Sequence, residues 1–157
     1  MAGNRNRTAG HSWEREIAKV LREEVGYEDA RCSRECSRLR DNQKVDICNA
    51  DEDASGRLPY NIQAKCLSTI SKYPKLLGEL EEYNGRKQIN VVFHKQTEKV
   101  AGSNRFMPRG KFACLNLDDF LKMMAKCRVL DDVIPDYLEY IPDEERIKLE
   151  EELKKLD

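Results

Sequence analysis

The sequence lacks the features that mark several large protein classes. No apolar run approaches the roughly 18 residues that a membrane-spanning helix needs. Residues 1–7 have no apolar stretch of the kind found in secretory signals. Only two histidines are present, and the six cysteines form no C-x-x-C pair. We therefore expect an intracellular protein with buried free thiols in a reducing compartment, with a zinc site as the alternative use of the cysteines.

Acidic charge is concentrated near the end of the sequence. The 28 basic and 29 acidic residues nearly cancel, but residues 131–157 contain 11 acidic and only 4 basic residues. The preceding residues therefore contain 24 basic and 18 acidic residues. A basic body with an acidic tail is typical of a protein that binds polyanions. An ordinary solvated surface explains the charges alone equally well.

The periodicity of apolar residues predicts a mixed α/β domain. The spacing of Trp13, Ile17 and Leu21 predicts a helix over 12–25. Residues 118–126 are predicted to form a helix with Phe120 and Leu121 turned inward. We also predict a helix over 73–83, a charged helix at the end of the sequence and a basic loop over 96–110. Five strands are predicted, over 30–37, 44–49, 58–66, 88–95 and 112–117.

The length and the charge pattern predict one domain with two extensions. A chain of 157 residues is long enough for one domain with a core and short for two. We expect a flexible basic arm over 1–10, an α/β domain over 11–130 and an acidic helical tail over 131–157. The tail could dock another protein. The order of helices and strands favours a mixed α/β domain.

Polar residues close two neighbouring apolar runs. Asp46 lies in the first run, and Gln63, Ala64 and Lys65 lie in the next. If these runs are adjacent strands, their side chains point toward one place. A carboxylate, an amide oxygen and the Ala64 carbonyl suit Mg²⁺, and a lysine beside them could orient water or neutralise a phosphate. Taken singly, each residue also has a structural explanation, such as an aspartate in a turn.

The order of these residues resembles that of the PD-(D/E)XK nuclease superfamily, in which an acidic residue on one strand precedes an acidic-x-Lys triplet on the next. Within the superfamily the chain resembles the archaeal-type Holliday junction resolvases and their phage-encoded relatives. The segment GHSWERE at 10–16 is similar to their Gly-x-x-x-Glu-Arg-Glu helix motif, and 31–38 to their Arg/Ser-rich strand. The likeness covers roughly residues 10–95. Gln63 departs from the pattern, because the family has an acidic residue there.

The resemblance implies a fold, a cofactor and a reaction. The fold is a restriction-endonuclease-like mixed sheet flanked by helices, with an acidic helical extension. Glu14, Asp46, Gln63 and Lys65 form the catalytic set, and Mg²⁺ or Mn²⁺ is held by Glu14, Asp46, Gln63 and Ala64. The expected function is metal-dependent cleavage of structured DNA, above all Holliday junction resolution in DNA recombination by a homodimer.

Two other functions remain open. The chain could be a general DNA nuclease, or a catalytically inactive DNA-binding or virion-associated protein that keeps the fold. The expected location is the cytoplasm, or the host cytoplasm if a phage encodes the chain. Candidate DNA contacts are basic and hydroxyl side chains able to bind phosphates, namely Arg15 (by resemblance), Arg31, Ser33, Arg34, Ser37, Arg38, Lys95, Lys99, Arg105, Arg109 and Lys111.

Overall fold

The computed structural model describes residues 2–51, 58–69, 72–85, 88–103 and 105–154. The chain divides into two compact units, 1–116 and 117–157. The elements of the first unit are α1 (Ala2–Glu23), β1 (Ala30–Cys32), α2 (Ser33–Cys36), α3 (Arg38–Asn42), β2 (Ile47–Asn49), β3 (Tyr60–Leu67), α4 (Tyr73–Asn84), β4 (Ile89–Lys99) and β5 (Phe106–Leu115). The second unit contains α5 (Leu117–Tyr140) and α6 (Asp143–Leu153).

The first unit is built on a five-stranded mixed sheet. Its strands lie in the order β1-β2-β3-β4-β5. All neighbours are antiparallel except β3 and β4, which are parallel because α4 crosses over between them. The prediction of a mixed α/β fold with a sheet flanked by helices is confirmed.

Helices cover both faces of this sheet because successive strand residues point to opposite faces. Ile62 and Val91 pack on the face covered by α1, whereas Val92 packs on the face covered by α4. The α4 face also receives Leu77 and Leu80 from the helix. Helix α1 contributes Trp13, Ile17 and Leu21 to its face at helical spacing, as predicted, and Ala18 packs beside them.

Two local predictions near the sheet are corrected by the structure. Helix α1 begins at Ala2, so residues 2–10 are helical where the sequence analysis expects an arm; residue 1 lies outside the described residues. No proline interrupts residues 2–11, so nothing in the backbone prevents the helix from extending there. The strand predicted over 30–37 ends at Cys32, because Ser33–Cys36 forms the short helix α2.

The basic loop predicted over 96–110 is largely a β-hairpin. Strand β4 continues to Lys99, and β5 begins at Phe106. The prediction failed because the residues are polar and include Pro108, but β5 is an edge strand that tolerates a proline. A Cβ at Gly110 would lie 2.7 Å from the ring of Phe112, so a larger residue there would require this exposed ring to move.

The second unit consists of two helices. Helix α5 extends far beyond the predicted end at residue 126 and continues past Pro135. None of the described residues in this unit is buried, so the inward orientation predicted for Phe120 and Leu121 is wrong. Two helices offer too little apolar surface to enclose one another. Within the described residues, no helix has the length and apolar character that a membrane crossing requires.

All six cysteines lie in the described part of the chain, and none of them forms a disulfide there. Cys32 and Cys48 are buried, but Cys36 and Cys127 are exposed. The expectation of burial is therefore wrong for these last two. The Sγ atoms of Cys36 and Cys48 lie only 3.1 Å apart.

Candidate functional site

Asp46 lies just before β2 and is hydrogen-bonded through its backbone to both β3 and α2. Its backbone N–H donates to the carbonyl of Ile62 at 2.7 Å, and its carbonyl accepts from Ser33 at 2.9 Å. Its side-chain Oδ2 accepts the N–H of Ala64 at 2.7 Å. In the part of the chain that the structure describes, Oδ1 has no hydrogen-bond partner. The hydrogen bond to Oδ2 thus fixes the carboxylate and leaves Oδ1 available to a ligand.

Ala64 faces Asp46 because strands β2 and β3 separate there. The two strands pair only at Ile47 and Ile62. In an antiparallel ladder a residue turns its N–H and C=O to the same side of its strand. The N–H of Ala64 points at Asp46, so the carbonyl of Ala64 points to the same side. This carbonyl is available as the second oxygen that the sequence analysis predicts.

Gln63 carries one of four buried side-chain atoms without a hydrogen-bond partner among the described residues; the others are in Glu14, Ser33 and Asn61. The side chain of Gln63 is only 3% exposed, and its Oε1 is the atom without a partner. A buried amide oxygen without a partner costs about 1–3 kcal/mol, and such groups are rare in folded proteins. An oxygen left in this state is suited to accept a ligand that the protein binds.

Lys65 lies on the same face of β3 as Gln63, because side chains alternate along a strand. In the parallel pairing with β4, Gln63 is opposite Val92 and Lys65 is opposite His94. Lys65 is half-buried. It forms no ion pair within the described residues, but its charge is close enough to lower the pKa of Asp46, against the larger effect of burial.

His94 is a buried residue opposite Lys65 in the pairing of β3 with β4. It is 1% exposed. Its Nε2 lies 3.2 Å from the carbonyl of Leu67, which can only accept, so Nε2 donates. Nδ1 lies 2.6 Å from the hydroxyl of Tyr73. Both ring nitrogens have hydrogen-bond partners, so the ring ties β4 to the end of β3 and the start of α4.

Glu14 is buried on α1 and is held by an arginine. It is 6% exposed. Nη2 of Arg34 donates to Oε1 at 2.8 Å, and Nε lies 2.8 Å from Oε2. The second contact is at ion-pair distance but lacks the alignment of a hydrogen bond, so Oε2 has no hydrogen-bond partner among the described residues. Arg34 also contacts His11 Nε2 at 2.5 Å.

The two carboxylates interact electrostatically. Burial raises the pKa of Glu14, the charge of Asp46 raises it further, and Arg34 opposes both. Burial likewise raises the pKa of Asp46, against the Ala64 N–H, Lys65 and Arg34. Among smaller causes, the charge of Asp41 raises the pKa of both groups. The structure thus brings together Glu14, Asp46, Lys65 and Arg34, which lie far apart in sequence.

This donor set fits a hard divalent cation. Mg²⁺ takes oxygen ligands and keeps several waters, so one or two carboxylates suffice. Asp46 supplies a carboxylate, Gln63 an unpartnered amide oxygen and Ala64 a carbonyl. Glu14 lies near Asp46 but is neutralised by Arg34. The described residues contain no group of three or more His, Cys, Asp or Glu side chains that could hold a metal.

The predicted DNA contacts on α1, β1 and the short helices have varied surroundings. Ser33 is 1% exposed, so its hydroxyl is not accessible to a DNA phosphate, and the sequence expectation is wrong there. Ser37 caps α3 by accepting from the N–H of Arg40. Arg15 pairs with Glu35 at 3.5 Å. Arg31 donates to two backbone carbonyls, whereas Arg38 is exposed.

The predicted DNA contacts on the hairpin separate into two groups. At its base, Lys95 and Lys111 bind opposite oxygens of Glu16 at 2.5 and 2.8 Å. Their ammonium groups lie 5.2 and 5.8 Å from the centre of the Trp13 ring. The outer residues are all exposed, and one of them pairs with Glu98; they are Lys99, Arg105 and Arg109.

Three participants were missed by the sequence analysis, namely Asp41, His11 and Glu16. His11 and Glu16 act through residues distant in sequence, so no local pattern marks them. Asp41 lies on α3, whose position beside Asp46 depends on the packing of the short helices. Comparison with known proteins adds no assignment: no family model, no curated protein and no solved structure matches this chain.

Proposed function

We propose that this chain is a metal-dependent endonuclease that hydrolyses phosphodiester bonds in structured DNA, with the four-way Holliday junction as its substrate. The observation that carries the proposal is the unpartnered Oε1 of Gln63, buried on the same face as Lys65 and one strand away from Asp46. The fold gains nothing from this oxygen while it has no partner. A ligand for a bound cation is the role that accounts for it.

The site residues have two roles: some would bind the metal, and Lys65 supplies a positive charge. Asp46, Gln63 and the carbonyl of Ala64 would hold Mg²⁺ or Mn²⁺, with Glu14 as the further carboxylate. When bound, the metal would supply Lewis acidity and a water of lowered pKa. The N–H of Ala64 orients the carboxylate of Asp46 through Oδ2. Lys65 donates hydrogen bonds to the phosphate or to the attacking water, where its charge stabilises the developing negative charge.

Resolution of a four-way junction needs two symmetric cuts, so the proposal includes a two-fold homodimer. The test uses a labelled four-way junction and a linear duplex of the same sequence, with Mg²⁺, Mn²⁺ or chelator. Paired, metal-dependent nicks in the junction are expected from the wild type. Asp46→Asn and Lys65→Ala should lose them. Lys75→Ala is the matched control, because Lys75 is exposed on α4 and pairs only with Glu79 on the same helix.

Different results separate the remaining functions. Equal cleavage of both substrates would support a general DNA nuclease. Binding of the junction without cleavage in either metal would support a catalytically inactive DNA-binding or virion-associated protein. Two observations favour this inactive DNA-binding protein over the general nuclease, namely the neutral residue at Gln63 and the ion pair that occupies Glu14.

A further inference from the structure

The outer part of the β4–β5 hairpin is a two-stranded ribbon that projects beyond the rest of the sheet. The last residue of β4 that pairs with β3 is Gln96, opposite Leu67. Among the residues that the structure describes, 97–99 pair only with 106–108 of β5. The register shifts between Gln96 and Thr97, and such bulges bend and twist a strand. A turn closed by the hydrogen bond from Val100 to Arg105 completes the tip.

The tip of this ribbon exposes apolar side chains on both faces. Phe106 is 53% and Met107 is 58% exposed, and Pro108 follows, also exposed. Because side chains alternate along a strand, Phe106 and Met107 point to opposite faces. Single exposed apolar residues are ordinary, but adjacent ones on both faces of a projecting ribbon contribute to no core. They indicate a surface that binds a flat or narrow apolar group of a partner molecule.

The charge around this tip identifies the chemistry of the partner. Residues 95–111 contain five basic side chains and a single acidic one, Glu98. Lys99 and Arg105, which flank the turn, are exposed. A second copy of the same ribbon would carry the same excess of positive charge and would be repelled. Nucleic acid fits both properties, because its phosphates are anionic and its bases are flat and apolar.

We propose that the ribbon tip is a wedge that stacks Phe106 and Met107 against bases at the branch point of a DNA junction, while Lys99 and Arg105 contact the flanking phosphates. The inference rests on the proposed function and adds the element that selects branched over linear DNA. Apolar side chains can enter between base steps of DNA at an unstacking cost of about a few kcal/mol per step. This cost is lower at the branch point of a junction, where the stacking between arms is interrupted, than within a continuous duplex.

The position of the ribbon relative to the site supports this role. Strands β3 and β4 are parallel, so Lys65 and the ribbon lie toward the same end of the sheet. At about 3.3 Å per residue, Thr97 lies about 10 Å and Lys99 about 17 Å beyond the level of His94, which is opposite Lys65. These distances equal about three to five base-pair rises of 3.4 Å. The wedge and the scissile phosphate would therefore be separated by a few nucleotides.

The test compares Phe106→Ala with Phe120→Ala in the full chain. Phe120 is a matched control, because it is a phenylalanine of similar exposure, 47%, outside the hairpin. Binding to a four-way junction and to a linear duplex is measured by fluorescence anisotropy in chelator, and 2-aminopurine at the branch point reports base unstacking. Circular dichroism melts verify that each variant is folded.

Phe106→Ala should weaken junction binding about 5- to 150-fold, as expected for the loss of stacking on one base. It should leave duplex binding unchanged and abolish the 2-aminopurine signal, whereas Phe120→Ala should change nothing. Junction binding and unstacking equal to wild type in Phe106→Ala would overturn the wedge and leave the proposed nuclease standing. A change of oligomeric state on sedimentation in Phe106→Ala would overturn it in favour of contact between chains. A wild type that binds neither DNA would overturn the proposed function as well.

Discussion

Replacing Gln63 by methionine tests the central interpretation of the site. Methionine has a similar volume and shape but no amide, so the substitution removes the buried Oε1 that has no partner among the described residues. Volume-conserving changes in a packed interior are tolerated well. The fold should therefore lose a desolvated polar atom and little else, while the proposed metal site loses a ligand.

The expected gain in stability follows from the cost of the unpartnered oxygen. Relief of about 1–3 kcal/mol corresponds, for a chain of this size, to a rise in Tm of about 2–12 °C. The measurement is thermal unfolding in chelator. Added Mn²⁺ should then stabilise the wild type by about 2.7 kcal/mol at a hundred times its dissociation constant, and should stabilise Gln63→Met much less. Nuclease activity should fall in the same variant.

A companion variant, Gln63→Glu, should behave in the opposite way. It places a carboxylate at a buried position of β3, next to Ala64, whose N–H binds the carboxylate of Asp46. In chelator at neutral pH it should be less stable than the wild type, because an ionised carboxylate is buried without a partner. In Mn²⁺ it should bind the metal more tightly. If Gln63→Met is instead less stable than the wild type in chelator, the amide oxygen has a partner in solution and the reasoning fails.

Three further predictions concern the same region. Arg34→Gln leaves the buried Glu14 without its counter-ion and should lower the free energy of unfolding by about 3 kcal/mol. Added Mn²⁺ should restore part of this loss in a calorimetric melt. An unchanged Tm would contradict a stabilising pair between Arg34 and Glu14. Burial raises the pKa of Glu14 and of Asp46 above their ordinary values of 4.5 and 3.8, so the folded chain holds extra protons and the free energy of unfolding should fall as pH rises through the raised pKa values. Asp46→Asn should flatten that fall in melts recorded in chelator, and a wild-type stability that rises over the same window would refute the assignment. Glutathione disulfide should oxidise Cys36 and Cys48, whose Sγ atoms lie 3.1 Å apart, to a disulfide seen by peptide mapping and absent in Cys36→Ser; pairing with other cysteines would count against this geometry.

Local patterns in the sequence determined the elements that hold the site. The helical spacing of Trp13, Ile17 and Leu21 predicts the buried face of α1, and the structure has that face against the sheet. Apolar runs predict β2 and β3, together with the placement of Asp46 and Lys65 near each other. These predictions succeed because a helix or strand that covers a core must repeat apolar residues at its own period, which is visible within a few residues.

The extent of several elements was not predictable from the same patterns. The polar residues 97–99 and 106–108 form strands because each strand supplies the hydrogen bonds of the other. Pairing between strands does not require apolar residues when both faces are open to solvent. The sequence analysis therefore predicts a loop where the tertiary structure has a projecting ribbon, and the exposed tip at Phe106 becomes visible only in that structure.

The electrostatic state of the site was decided by tertiary structure alone. Arg34 appears in sequence as a candidate DNA contact and Glu14 as a candidate ligand, yet the fold joins them in a part-buried ion pair across 20 positions. Ser33 appears as an exposed hydroxyl and is buried. The sequence determined which side chains can donate oxygens and charges. Their partners and their burial depend on how α1, the short helices and β3 pack together, because long-range contacts leave no periodic trace in the chain.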